Sequence, residues 1–190
     1  MLGASVPRRV HVAPVGFEVD RIVEPVVKME GETVVLLAQL SDRDKGRHFL
    51  DKVVGKLRRR GIKIEVIRKD IHDLYALTKA FAGVFRSHRH DSIFLNVSSG
   101  SKIEAIAAVL ATMLVRNEGI DVTLYYAVPH EYTTPITQPL SRGCDEVLPL
   151  PHLSMQVPSP EMREALRILR AGARSKSELA VELAKRGRLD

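Results

Sequence analysis

The chain has no tryptophan, one cysteine, and only five phenylalanines and four tyrosines in 190 residues. A lone Cys144 permits no intramolecular disulfide and no cysteine cluster for zinc, which fits a reducing compartment, and it reads as a partly buried thiol rather than a nucleophile. None of the seven histidines stands in H-E-x-x-H or another compact ligand pattern. His88-Arg89-His90 reads first as the cationic end of a helix, so no metal site is expected. No apolar run approaches the roughly twenty residues that cross a bilayer. Met1 to Arg9 lacks the apolar core and cleavage pattern of a signal peptide, and the expected location is the cytoplasm. Neither G-x-G-x-x-G nor G-x-x-x-x-G-K-[ST] occurs at the candidate loops, which disfavours dinucleotide and ATP chemistry and leaves no cofactor to expect. No Ser-His-Asp order or carboxylate pair marks a catalytic centre either.

What is present suits one α/β core with a small appendage, since 45% of the residues are hydrophobic. Lys and Arg outnumber Asp and Glu by 29 to 23, and the resulting charge of +6 favours anionic partners without naming one. The densest basic run, Lys56-Leu57-Arg58-Arg59-Arg60, falls at a helix end, where cations complement the dipole whether or not anything binds.

Apolar runs and helix-period runs alternate from Val10 to Val128, the mark of βαβ units around a mainly parallel, Rossmann-like, doubly wound sheet. The pattern predicts strands at 10–15, 33–38, 62–67, 92–97 and 121–127, with helices at about 18–29, 44–59, 71–86 and 101–117. Pro25 would remove a backbone bond from the first helix, which pushes its expected start later than 18. Beyond Pro129 the chain is proline-punctuated, with one extended piece at Glu146 to Leu150 suited to an edge strand or hairpin. Val157-Pro158-Ser159-Pro160 then opens a second segment. Its two amphipathic stretches, Glu161 to Arg170 and Leu179 to Arg186, resemble the start of a helix-turn-helix without its third helix. The expected division is 1–156 for a ligand-sensing domain and 157–190 for linker and helical extension.

In such a sheet, ligands bind beyond the carboxyl ends of the strands where strand order reverses, between the first and fourth strands. Two unusual loops fall there. One is Ala13-Pro14-Val15-Gly16-Phe17, followed by Glu18, Asp20 and Arg21. The other is Asn96-Val97-Ser98-Ser99-Gly100-Ser101-Lys102. Small hydroxyls, a glycine and a lysine at a helix N-terminus make a candidate anion cradle. Ser101 and Glu104 have the spacing of a capping box, which needs no ligand, but capping calls for neither Ser98, Ser99 nor Lys102. Arg21 could meet a phosphate, and Glu18 or Asp20 could accept from a ribose or simply favour a helix start. Phe17 reads as core before stacking surface. Tyr125 and Tyr126 must face opposite sides of the sheet, and Pro129 to Tyr132 could cover a ligand or merely decorate a loop.

At these two loops, His11 to Arg21 and Asn96 to Lys102, the chain resembles the CRISPR-associated Rossmann fold (CARF) family, and within it the archaeal branch joined to a winged helix-turn-helix. The resemblance covers about the first 150 residues. It implies a homodimer whose paired loops form one pocket for a cyclic oligoadenylate, typically cyclic tetra-adenylate, and a relay to an attached module that controls transcription. Carried over by motif position, Ser98, Ser99, Gly100, Ser101 and Lys102 would supply phosphate and ribose contacts, with Gly16 and Phe17 as the facing wall, and Asn96 and Arg21 complete the candidate ligand-binding set. Serines stand where many relatives have threonine or a second glycine, which bears on ring size and affinity. Some similar domains cleave their ligand without metal, and for such a ring nuclease Ser98, Ser99 and Lys102 would be the residues to test. In the tail, Arg163, Arg167, Arg170, Arg174 and Lys176 suit either DNA or a solvated helix face.

Overall fold

The computed structural model describes residues 6–40, 45–133, 139–151, 158–172 and 175–186. Asp44, Val157, Ala173 and Arg174, to which the sequence reading assigns helix, linker, turn and DNA contact, lie outside the described residues. The chain divides into two compact units, Met1–Ser154 and Met155–Asp190.

In the first unit, strands and helices alternate: β1 (Arg9–Pro14), α1 (Asp20–Lys28), β2 (Thr33–Gln39), α2 (Arg47–Arg58), β3 (Lys63–Lys69), α3 (Leu74–Ser87), β4 (Ser92–Asn96), α4 (Lys102–Arg116) and β5 (Val122–Val128). A two-stranded hairpin of β6 (Glu131–Tyr132) and β7 (Ser141–Arg142) follows, and then β8 (Glu146–Pro149). The six-stranded sheet runs β3-β2-β1-β4-β5-β8, parallel except for the antiparallel edge strand β8. The expected edge strand near Glu146 is therefore present.

Both faces of the sheet are covered, as a parallel sheet requires. Val10, Val12, Val35 and Leu95 point to one face and meet Leu77, Phe81 and Phe85 of α3 and Ala107, Ala111 and Val115 of α4. Ala13, Val34 and Leu36 point to the other, beneath Ile22 and Val26 of α1 and Phe49, Val53 and Leu57 of α2. The alanine-lined face of α4 suits close helix-on-sheet approach. The result is a Rossmann-like α/β fold with helices on both faces.

Proline 25 sits in the middle of α1. The helical partner it fails to supply is the carbonyl of Arg21, four residues earlier. That carbonyl instead accepts a hydrogen bond of 2.7 Å from Nδ2 of Asn96, at the end of β4. The helix thus tolerates its proline because a side chain from the sheet replaces the missing donor.

The second unit holds α5 (Pro160–Arg170) and α6 (Lys176–Arg186). Ser159 caps α5 by accepting from the Met162 amide at 3.2 Å, and Pro160 occupies the first turn, where its missing N–H costs nothing.

Candidate functional site

Strand order reverses between β1 and β4, which lie side by side in parallel register, so the two unusual loops meet at the carboxyl end of adjacent strands. Their contact is close. A Cβ on Gly16 would stand 3.0 Å from the Cα and N of Gly100, and a Cβ on Gly100 would stand 2.6 Å from Cβ of Pro14. Gly100 also has φ of +79°, a conformation that side chains disfavour. These glycines are needed first for one loop to pack on the other, a role the spacing alone did not distinguish from close approach to a ligand.

Within Asn96–Lys102 the polar groups separate into two sets. Asn96 is wholly buried. Its Nδ2 serves the Arg21 carbonyl, and its Oδ1 accepts from the Ser98 amide at 2.8 Å and from the Ser98 hydroxyl. Ser99, also buried, donates its hydroxyl to the Pro14 carbonyl at 2.7 Å, binding one loop to the other. Ser101 is the N-cap of α4 in a complete capping box, its amide donating to Glu104 at 2.7 Å and its Oγ accepting from the Glu104 amide at 3.3 Å. Gly100 and Ser101 remain half-exposed, and Lys102, the first residue of α4, is exposed. No ion pair of Lys102 is found among the described residues. Apart from the half-buried Val97, the accessible surface of this loop is therefore Gly100 to Lys102, at the positive end of a fifteen-residue helix.

Arg21 turns inward and is only 4% exposed. Its Nε donates to the Ala127 carbonyl at 2.8 Å, its Nη1 to Glu18 at 3.2 Å, and its guanidinium lies 4.7 Å above the ring of Tyr126. Glu18 in turn accepts from the hydroxyl of Ser141 on β7. Arg21 thus joins α1, the end of β5 and the hairpin, while Nη2 stays buried without a partner. Asp20 holds Lys56 at 2.7 Å and the Gly143 amide at 3.3 Å. Partial burial pushes its carboxyl up, but those two bonds outweigh it and the net shift is down. Phe17 packs edge-on to Phe49 at 5.3 Å, as a core residue does, and its carbonyl accepts from the Leu140 amide at 3.1 Å.

Sequence reasoning passed over the groups beneath the loops. His11 is fully buried, with Nδ1 3.1 Å from the Tyr125 hydroxyl and its ring stacked on Phe94. Burial lowers its pKa to about 4 and drives that of Tyr125 far up, so both are neutral. One signal did exist: a proline mid-helix beside a polar residue closing a buried strand invites the pairing that Pro25 and Asn96 make.

Elsewhere, a cavity of about 330 Å³ lies between β3 and α3, lined by Glu65, Ile67, Lys69, Gly83, Val84 and His88 among others. Another of about 280 Å³ lies along α4, lined by Val97, Ala105, Ile106, Val109 and Leu110. Among the described residues, no helix is long and apolar enough to cross a membrane, and no His, Cys, Asp and Glu cluster could hold a metal ion.

Uncharacterized protein MJ1513 of Methanocaldococcus jannaschii is 29% identical over 128 residues, which cover 64% of this chain and 38% of that protein. The chain therefore spans well under half the length of this relative. Among solved structures, a type III CRISPR defence DNA nuclease activated by cyclic oligoadenylate superposes with TM-score 0.57 at 17% identity, covering 87% of this chain and 24% of that one. Can2 from Sulfobacillus thermosulfidooxidans, in complex with cyclic tetra-adenylate, gives 0.53 at 16%, covering 64% and 32%. At these identities the likeness is one of fold. The model of the family described as HFX_2341_N:-like, N-terminal, matches residues 9–132, from β1 through β6, and the chain belongs to that family.

Proposed function

We propose that the first unit is a CARF-type sensor that binds a cyclic oligoadenylate, cyclic tetra-adenylate first among them, in a crevice bordered by Gly16 and Gly100–Lys102. The observation that carries this reading is the rim at the switch point. There an exposed lysine, a half-exposed serine and a helix N-terminus stand together, on the fold shared with a structure that holds cyclic tetra-adenylate. Phosphates would lie against Gly100, Ser101 and Lys102, with Gly16 and Phe17 as the opposite wall. Asn96, Ser98, Ser99 and Arg21 would act on the ligand by holding those groups in place. Calorimetry with cyclic tri-, tetra- and hexa-adenylate tests the reading, and the absence of heat with all three at high protein concentration overturns it.

The sensor acts as a homodimer in this proposal, and α4 supplies the surface. Ile103, Ile106 and Leu114 lie along the helix at near-helical spacing and are exposed, Ile106 by 54%, beside the apolar cavity. The stripe begins one residue after Lys102. A second copy seated on it would bring two rims together over one ring, and ultracentrifugation of an Ile106→Glu variant, expected to be monomeric, checks this.

Occupancy would then pass to residues 157–190 and to transcriptional control in CRISPR-linked defence. Arg163, Arg167, Arg170 and Lys176 are exposed, although Glu164 pairs with Arg167 at 3.1 Å. DNA binding whose affinity falls with salt would support that role, and no binding at low salt would remove it.

The geometry favours sensing over cleavage of the ring. A metal-independent ring nuclease would call on Ser98, Ser99 and Lys102, but both serine hydroxyls are buried and engaged inside the protein. A ring left intact after long incubation in EDTA is expected, and linear products on chromatography would restore the nuclease reading.

A further inference from the structure

We propose that Tyr132, on the hairpin bonded to the Gly16 loop, is an aromatic wall on which a nucleobase of the bound oligonucleotide stacks, an inference that rests on the crevice being an oligonucleotide site. Two of the chain's four tyrosines meet at this point, beyond the end of β4. Asn96, the last residue of β4, is in register with Tyr125, so Tyr126 lies one residue past the end of β4 while still pairing with Leu148 of β8. The Arg21 guanidinium covers its ring. The nearby Tyr126 hydroxyl pushes the pKa of Tyr132 up, as expected of two phenols close together at the edge of the hairpin.

Tyr132 is 71% exposed, an uncommon setting for a large aromatic. Its strand is also tied to the crevice. The Leu140 amide donates to the Phe17 carbonyl at 3.1 Å, Ser141 donates to Glu18, and the Thr133 amide donates to the Leu140 carbonyl at 2.8 Å. The hairpin cannot shift without disturbing the loop that holds Gly16. A flat ring with few rotamers, held beside a phosphate-type cradle, matches what a base needs: stacking is sequence-tolerant and loses little side-chain entropy. Phosphates would take the Gly100–Lys102 rim and a purine the tyrosine wall.

The test compares wild type, Tyr132→Phe and Tyr132→Leu by calorimetry with cyclic tri-, tetra- and hexa-adenylate, and follows the adenine H2 and H8 resonances in the best complex. An exposed position makes all three proteins equally stable to within about 0.5 kcal/mol. Stacking predicts that Leu weakens binding by about tenfold or more and that Phe stays within roughly threefold of wild type. It also predicts upfield adenine protons with Tyr and Phe but not with Leu. Equal affinity and equal shifts in the Leu variant overturn the wall while leaving the crevice reading intact. Binding of no ring by wild type overturns both. Weakened self-association with unchanged affinity of the dimer would make Tyr132 an interface residue and also overturn the wall.

Discussion

The paired loops at the switch point have a floor and a rim that use polar groups in opposite ways. On the floor, His11, Tyr125, Asn96, Ser98, Ser99 and Arg21 are buried and bonded to one another or to backbone. On the rim, Gly16, Gly100, Ser101, Lys102 and Tyr132 reach solvent. The same loop supplies both, and Ser99 and Lys102 are three residues apart. A phosphate-type loop thus needs more polar residues than touch its ligand, because a backbone that presents amides to solvent must itself be held by hydrogen bonds underneath.

If that division holds, substitutions on the floor change stability and those on the rim change binding. The largest effect should come from acid. His11 has a pKa of about 4 in the fold against 6.5 when exposed, so between those values the unfolded chain binds a proton that the folded chain refuses. Its contribution is complete above pH 6.5 and is lost as pH falls towards 4, by about 3 kcal/mol in all. Denaturant titrations across that range should show the slope, and His11→Phe should flatten it.

Next is Asn96→Ala, which leaves the Arg21 carbonyl and the Ser98 amide without partners and should cost about 2 kcal/mol. A double-mutant cycle sharpens this. Pro25→Ala restores the helical donor to that carbonyl and should recover about 1 kcal/mol of the loss, whereas additive effects would deny that proline and asparagine compensate each other. Gly16→Ala places a Cβ 3.0 Å from Gly100 backbone and should cost about 1 kcal/mol, with ligand affinity falling alongside stability. Smallest in stability is Lys102→Ala, within about 0.5 kcal/mol of wild type. Its binding should nevertheless weaken by about tenfold, as expected for a lost charge-assisted contact of about 1.5 kcal/mol.

Much of the fold was legible because parallel strands buried on both faces write themselves as apolar runs. The run at 33–38 became β2 almost unchanged, and the reversal between β1 and β4 followed from element order. The division between floor and rim was not legible. Asn96, Ser99 and Lys102 look alike in sequence as polar residues at the end of a strand, and only the positions of the Arg21 and Pro14 carbonyls separate them. Arg21 shows the same limit: its charge suggested phosphate, but its Nε partner, the Ala127 carbonyl, lies 106 residues away and no local pattern announces it. Tyr132 was visible only as a residue near the right loop, since its place beside the Gly16 loop depends on how the hairpin folds back.

The most direct test of the central claim is a map of backbone amide resonances as cyclic tetra-adenylate is added. The account predicts that Gly16, Phe17, Gly100, Ser101 and Lys102 move first and furthest, while Ile67, Gly83 and Ser87 beside the β3–α3 cavity stay in place. Saturating ligand that leaves the rim unmoved, or that moves only the β3–α3 cavity, would contradict it.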